Sequence, residues 1–269
     1  MTKIKIFCVS NVESNLLEKL DITLAGVGRA NFSKKYINTK KGMNIQKKEK
    51  NYSELAFHYW LWKNKLSSFD NKTWIGFCQK RRFWLKKKTT IKSFEDLEKN
   101  ILKKAPKEWN DYQSVVCKKI NVNNPKRMKL LKRGWKNLIK EPSIFFDTKK
   151  QSIKLHFDMH HGHGVLDKAI NLLNNNDREQ FRKFVSNNSK FNPHIMYISK
   201  KNILNKWFID LFNWLFECEK VFGLKELKGY DQKRLYAYLA ERYLSFWFTK
   251  YTKSLQWHWA FFDVTKAEL

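Results

Sequence analysis

The chain has 269 residues, of which 42% are apolar, with 11 Trp, 10 Tyr and 21 Phe; this excludes a disordered chain and supplies the side chains for a large core. Lys and Arg number 54 against 25 Asp and Glu, a formal charge of +29, which attracts anionic partners: a diphosphate, an anionic lipid surface or a nucleic acid. The lysines are scattered, no block forms a basic tail, and 9 Gly with 4 Pro argue against a loop-rich β-sandwich.

Cys8, Cys78, Cys117 and Cys218 lie far apart without a C-x-x-C pair, as expected of reduced, structural thiols in a cytoplasmic protein. The chain opens on a strand-like segment with no secretory h-region, and no apolar run approaches the ~18 residues of a membrane span. The expected location is the cytoplasm, with peripheral contact of the basic surface on the inner face of the membrane.

Residues 3–10 (KIKIFCVS) alternate like an opening strand. Residues 22–28 (ITLAGVG) predict a second strand ending in a turn at Gly26 and Gly28; Gly-x-Gly fits a phosphate cradle and equally a tight turn. Residues 29–50 read as a long polar loop. Residues 52–64 carry Leu55, Phe57, Tyr59, Trp60, Leu61 and Trp62 on every side, so a buried helix is expected, and Glu54 within it needs a partner. Residues 74–78 (WIGFC) predict a strand delivering Gln79-Lys80-Arg81-Arg82 to its end.

Helices are expected over 94–102, with Ser93 as N-cap, over 108–122 and over 126–139. A short strand is expected over 144–146, and a strand turning into a His- and Gly-rich loop over 151–164. Helices over 166–173 and 177–185 precede a strand over 191–199. Two long helices, 202–222 and 231–251, close the chain; the second carries Leu235, Tyr238, Leu239, Tyr243, Phe246 and Trp247 at helical period. Without repeats or a linker, the pattern predicts a single α/β, Rossmann-like domain over 1–269, an α/β core over 1–200 with C-terminal helices over 201–269.

Arg81 and Arg82 head the candidate site residues. Guanidiniums bind phosphate oxygens bidentately, and at the C-terminal edge of a strand they would face the ligand crevice; a surface salt-bridge pair is the equal alternative. Adjacent strand residues point to opposite faces, so one arginine should reach a ligand and the other an internal partner, for which Glu54 is a candidate. His156, Asp158, His160, His161 and His163 form the second cluster. Two His and one Asp could bind a metal, although the spacing matches no standard zinc pattern; a site loop in which Asp158 or a His acts as base or bonds a polar ligand, and a solvated turn, are the other readings. Asn192, Pro193, His194 and Met196 sit on an apolar segment where an Asn must find partners. Arg234, Tyr238 and Glu241 share a helix face, suiting a structural ion pair or a sugar contact, and Asp231-Gln232 stands where an Asp caps a helix. No Asp-x-Asp occurs in the chain.

Three segments together resemble the DUF4422 proteins of bacterial polysaccharide loci. Those carry Tyr-x-Glu-Leu running into Tyr-Trp-x-Trp-Lys-Asn, here Tyr52 to Leu55 and Tyr59 to Asn64. A strand ending Ile-Gly-x-x-His-Tyr-Arg-Arg-x-Phe follows, here Ile75 to Phe83 with Gln79-Lys80 in place of His-Tyr. Asn192-Pro193-His194-Ile195-Met196 resembles their Asn-Met-Phe-Ile-Met, and Tyr230-Asp231-Gln232 with Leu239-Ala240-Glu241-Arg242-Tyr243 resembles their closing helix. The resemblance implies a variant GT-A glycosyltransferase for capsule, exopolysaccharide or O-antigen assembly. The donor would be a UDP-sugar, in some members UDP-galactofuranose, and the acceptor a glycan or lipid-linked glycan. It implies a nucleotide-sugar site at Val27, Gly28, Glu54, Lys63, Asn64, Lys80, Arg81 and Arg82. Asp158, His160 or His163 would serve catalysis, and Asn192, His194, Tyr238, Glu241 and Arg242 would hold the acceptor or sugar hydroxyls. Cations at the strand end would stabilise the departing diphosphate without a divalent metal, a metal-assisted arrangement being less favoured. Displacement would invert the anomeric centre if an α-linked donor gives a β-linked product. A non-catalytic nucleic-acid-binding protein and an inactive member of the family are the alternatives.

Overall fold

A computed structural model describes residues 3–267. By its internal contacts the chain divides into two compact units. Met1–Lys118, His194–Asp210 and Phe248–Leu269 form the first; Lys119–Pro193 and Leu211–Trp247 form the second.

In chain order the strands are β1 (Ile4–Ser10), β2 (Thr23–Gly26), β3 (Tyr36–Asn38), β4 (Trp74–Gln79), β5 (Arg82–Trp84), β6 (Ser114–Cys117), β7 (Ile120–Asn121), β8 (Lys190–Phe191), β9 (Tyr197–Lys200), β10 (Ser254–Trp257) and β11 (Trp259–Phe261). The first unit is built on a nine-stranded mixed sheet in the order β10-β6-β9-β4-β1-β2-β3, with β5 pairing both β4 and β11. β4, β1, β2 and β3 run parallel, whereas β9 is antiparallel to β4 and β6. All six residues of β4 are buried, the continuous apolar run of a strand covered on both faces. Cys8 faces Cys78 across β1 and β4, and both thiols are reduced and buried. A Cβ at Gly76 would lie 2.7 Å from Ile198 Cγ1, so only glycine lets β9 close on β4.

The expected buried helix is Leu55–Asn64. It is separated from a short turn of helix, Glu49–Tyr52, by Ser53 at φ 55°. Phe57 rings against Phe7 at 5.2 Å and Trp60 at 6.0 Å, while Tyr59 and Trp62 are only half-buried and Lys63 is exposed.

The second unit is mainly helical: Arg127–Lys140, Ile153–His161, Val165–Asn171 and Asn175–Asn187, with the two-stranded β7-β8 ribbon. Phe181, Trp214, Tyr243 and Phe246 ring together in its core. The Tyr243 hydroxyl donates to the buried Asp177 carboxylate, and Trp214 Nε1 donates to the Ala169 carbonyl at 2.7 Å.

Several expected elements differ. Residues 108–122 are not a helix: Ser114-Val115-Val116-Cys117 is β6, buried between β9 and β10, where β-branched residues pack better than in a helix. Residues 144 and 145 belong to a 3-10 turn, Pro142–Phe145, started by Pro142 and capped by Phe146. The segment expected as a strand and loop over 151–164 is the helix Ile153–His161, whose Ser152 hydroxyl accepts the Leu155 N–H at 3.3 Å. Its short apolar alternation imitates period two, and the N-cap decides the matter. The strand over 191–199 is broken at His194, φ 65°, so that only β8 and β9 form. β3 lies inside the expected 29–50 loop. The last helix is interrupted at Arg234, and β10 and β11 make 201–269 more than helices.

Candidate functional site

β1 leads to β2 on one side and β4 pairs with it on the other, so the strand order reverses between β1 and β4, where open α/β sheets bind ligands outside the carboxyl ends of their strands. The side chains at that point are polar and mostly cationic. Lys80 follows β4 and Asn11 follows β1, and Lys80 Nζ donates to Asn11 Oδ1 at 2.8 Å. Val27 N–H donates to the Ser10 carbonyl at 2.9 Å. Gly28, at φ 83°, donates its N–H to Gln46 Oε1 at 2.8 Å. A Cβ there would lie 3.1 Å from the Glu49 carboxylate, and the positive φ favours glycine. Burial lowers the Lys80 pKa and Arg81 lowers it further, against Asp263, Glu54 and Glu49. An ammonium held this way gains from an incoming anion.

The two arginines turn to different partners, Arg81 from the turn after β4 and Arg82 from the start of β5. Arg81 Nη1 lies 3.4 Å from Asp263 Oδ2, and its side chain keeps 38% exposure. Arg82 donates from Nε to His194 Nε2 at 3.0 Å and from Nη1 to Gln79 Oε1 at 3.0 Å, with Phe261 5.8 Å from its guanidinium carbon. Asp263, 182 residues along the chain, is therefore a carboxylate partner of the pair that sequence reasoning did not select. His194, expected among acceptor contacts, instead accepts from Arg82 and rings edge-on to Trp259 at 4.7 Å. Burial and Arg82 push its pKa down to about 3. Gln79 and His194, one from each segment that departs from the family pattern, thus meet on one guanidinium.

Lys63 and Asn64 are not part of this cluster: nine residues of helix separate Lys63 from Glu54, about 13 Å of rise. The Lys63 ammonium sits 3.4 Å over the Trp62 ring. Asn64 donates to the Met43 and Trp60 carbonyls at 2.8 and 2.7 Å and accepts the Met43 N–H at 3.0 Å. Its carboxamide pins the loop preceding the helix rather than offering itself to a ligand.

In the second unit the helix Ile153–His161 and the helix Leu235–Tyr251 gather most remaining candidates. Arg242 is 1% exposed; it ion-pairs with Glu241, donates from Nη2 to His156 Nδ1 at 3.1 Å, and sits 4.4 Å over the Phe191 ring. Burial lowers its pKa, against Glu241 and Tyr238. His161 stacks on Tyr238 at 3.8 Å and its Nδ1 donates to the Asp231 carbonyl at 2.9 Å. Asn192 Oδ1 accepts from Ser245 Oγ at 2.6 Å, and Ser245 accepts the Asn192 N–H at 3.1 Å. These bonds give Asn192, Glu241 and Arg242 structural partners within the unit.

A concavity of about 440 Å³ is lined by Arg133, Asp158, His160, Lys228, Asp231 and Gln232, among others. Arg133 donates to His160 Nδ1 at 3.0 Å and to Asp231 Oδ2 at 3.2 Å. A neutral imidazole accepting at Nδ1 carries its proton on Nε2, so His160 presents a donor. Asp158 is buried, with Oδ1 accepting the Gly164 N–H at 3.1 Å and Oδ2 3.5 Å from His163 Nδ1; burial raises its pKa, against Gly164, His163 and Lys154. The histidine rings at 156 and 160 lie 4.7 Å apart, and each has a guanidinium on its Nδ1, Arg242 on His156 and Arg133 on His160. Among the described residues no three His, Cys, Asp or Glu side chains are gathered to hold a metal ion, and no helix is long and apolar enough to cross a membrane.

This architecture is the mixed α/β, GT-A-like fold that the motifs imply. Residues 5–253 match the family described as a domain of unknown function, DUF4422; the chain belongs to that family. Among solved structures, it is similar to the apo structure of WbbM, a bifunctional glycosyltransferase, with TM-score 0.64 and 18% sequence identity over 96% of this chain. The chain corresponds to 45% of the length of WbbM. No curated protein matches it.

Proposed function

We propose that the protein is a glycosyltransferase whose nucleotide-sugar diphosphate is held at the carboxyl ends of β1 and β4. The observation that carries this reading is the placement of Lys80, Arg81 and Arg82 at the point where strand order reverses, beside the Gly28 turn. Fixed cations there stabilise charge developing on a diphosphate leaving group. Arg81, with 38% of its side chain exposed and held at one end by Asp263, is the ligand contact, while Arg82 is positioned by Gln79 and His194. The same cations would serve the leaving group in place of a divalent metal. Membership of DUF4422 and the likeness to WbbM support sugar transfer as the reaction class. The finer proposal is a UDP-hexose donor, such as UDP-galactofuranose, and a capsular, exopolysaccharide or O-antigen acceptor on a lipid carrier at the inner membrane face.

As base we propose His163 of the second unit. Asp158, buried behind it and 3.5 Å from Nδ1, would hold the Nδ1–H tautomer and leave Nε2 free to take a proton from an acceptor hydroxyl; such contacts are often long until substrate is bound. His160 and Tyr238 are donors for sugar hydroxyls. The nucleic-acid reading is disfavoured because Trp74, Trp84, Trp109, Trp207 and Trp247 are fully buried and so are not available for base stacking.

Thermal melts test the reading. A ligand at about 100 times its Kd adds about 2.7 kcal/mol, which raises Tm by roughly 5–10 °C in a chain of this size. UDP is expected to give such a shift, undiminished by EDTA. A shift with single-stranded oligonucleotide alone would replace sugar transfer by nucleic-acid binding, and a strict need for Mn²⁺ would replace the cationic leaving-group site by a metal.

A further inference from the structure

The helix Arg127–Lys140 packs by one face only. Leu130 and Gly134 are buried, Leu138 packs with Ile144, Leu155 and Met159, and a Cβ at Gly134 would crowd Leu130 at 3.0 Å and touch Met159 at 3.5 Å. Yet the helix carries a second apolar stripe. Met128, Leu131, Trp135 and Ile139 fall within about 80° of arc at 100° per residue. They are 47 to 71% exposed, and Phe146 just beyond is 84% exposed. Burial of apolar surface drives folding, so a continuous exposed stripe marks a surface that is covered in use.

What surrounds the stripe identifies the cover. Lys129, Lys132, Lys136 and Lys140 occupy the adjoining arc, roughly 40° to 120° from Met128 on the same wheel, all exposed. The 14-residue helix contains no carboxylate. The nearby acids are paired, Glu141 with Lys150 and Asp231 with Arg133 of the helix itself, outside the lysine arc. Lysine is depleted at protein–protein interfaces, whereas a basic arc beside Trp, Leu, Ile and Met is the pattern of a helix lying in the headgroup boundary of a bilayer, lysine stems reaching along it to anionic phosphates. The helix lies far below the length of a span, so it lies on the surface.

We infer that the helix Arg127–Lys140, with Phe146, is the element that seats this protein on an anionic lipid surface. Met128, Leu131, Trp135 and Ile139 enter the acyl boundary, and Lys129, Lys132, Lys136 and Lys140 meet the lipid phosphates. The inference supplies the peripheral membrane contact of the proposed function with a named surface, but it stands on the helix alone.

Cosedimentation with phosphatidylcholine vesicles, with and without about a third phosphatidylglycerol, is the test. The wild-type chain should pellet with the anionic vesicles and be released by salt. The double variant Trp135→Ser/Ile139→Ser should lose about tenfold or more in apparent affinity, and Lys132→Glu/Lys136→Glu, at about fivefold per basic residue, likewise. All these side chains are exposed, so both variants should melt as the wild type does and keep the UDP-induced shift in Tm, which separates failure of this inference from failure of the sugar-transfer reading. Equal pelleting with neutral vesicles, or variants that bind as the wild type does, would overturn it. So would wild-type chain that self-associates without lipid through the stripe while the Trp135→Ser/Ile139→Ser variant is monomeric.

Discussion

Replacing His163 by Asn is expected to reduce sugar transfer by about 10²- to 10⁴-fold, the usual contribution of a positioned base, while UDP affinity stays at the wild-type level. Asp158→Asn should lose a comparable factor for a different reason. The carboxamide keeps an oxygen for the Gly164 N–H, so the turn is preserved, but it cannot hold the Nδ1–H tautomer of His163 or stabilise the imidazolium. UDP release in the presence of a glycan acceptor is the measurement. Loss in Asp158→Asn with full activity in His163→Asn would make Asp158 itself the base. Full activity in both would remove the pair from the mechanism.

Acidification from pH 7 to 5 is expected to destabilise the fold by roughly 4 kcal/mol through His58 and His161 alone. His58 is fully buried, its Nδ1 2.8 Å from the Tyr197 hydroxyl, and burial pushes its pKa down to about 3. Burial and Arg242 do the same to His161, also to about 3. Below the ordinary histidine pKa near 6.5 the unfolded chain binds these protons and the folded chain does not, so stability falls with pH, by about 1.4 kcal/mol per unit per group. His156, pushed down to about 2, and His194 act in the same direction. Asp158, with its pKa raised by burial, acts against them, gaining its proton in the fold before it does in the unfolded chain. Tm should drop by about 10 °C; a Tm unchanged between pH 7 and 5 would mean that these imidazoles are not held neutral in the fold.

The first unit was the more legible in sequence. Ile4–Ser10, Thr23–Gly26 and Trp74–Gln79 announce themselves by buried or alternating β-rich runs bounded by Gly or charge, and the carboxyl end of a parallel strand is where a ligand crevice belongs, so Lys80, Arg81 and Arg82 were found. Asn11, at the end of the first strand, could have been found by the same rule. Asp263, Gln46 and Glu49 could not, because their contacts depend on chain returning from far away or on loop geometry that no periodicity encodes. In the second unit, the alternation of Ile153, Leu155, Phe157 and Met159 imitates a strand over a stretch too short to separate the two periods. Reading it as a strand hid the fact that His156 and His160 are one helical turn apart, facing Arg242 and Arg133. Gln79 and His194 were visible as departures from a motif, but only the fold brings them to the same arginine. The exposed stripe of the Arg127–Lys140 helix was present in the sequence; whether its apolar residues face core or solvent depends on which face Leu130 and Gly134 bury.

The central claim is that the strand-end cations receive a diphosphate, with Arg81 as the contact and Arg82 as a braced neighbour. Calorimetric titration of UDP into the wild type, Arg81→Ala and Arg82→Ala, with a melt of each, tests it most directly. A charge-assisted contact is worth about 1.5–3 kcal/mol, so Arg81→Ala should weaken UDP by about 10- to 150-fold at unchanged Tm. Arg82→Ala should lower Tm, because His194 Nε2 and Gln79 Oε1 lose their donor. Equal and mild effects of both substitutions on UDP affinity would contradict the account.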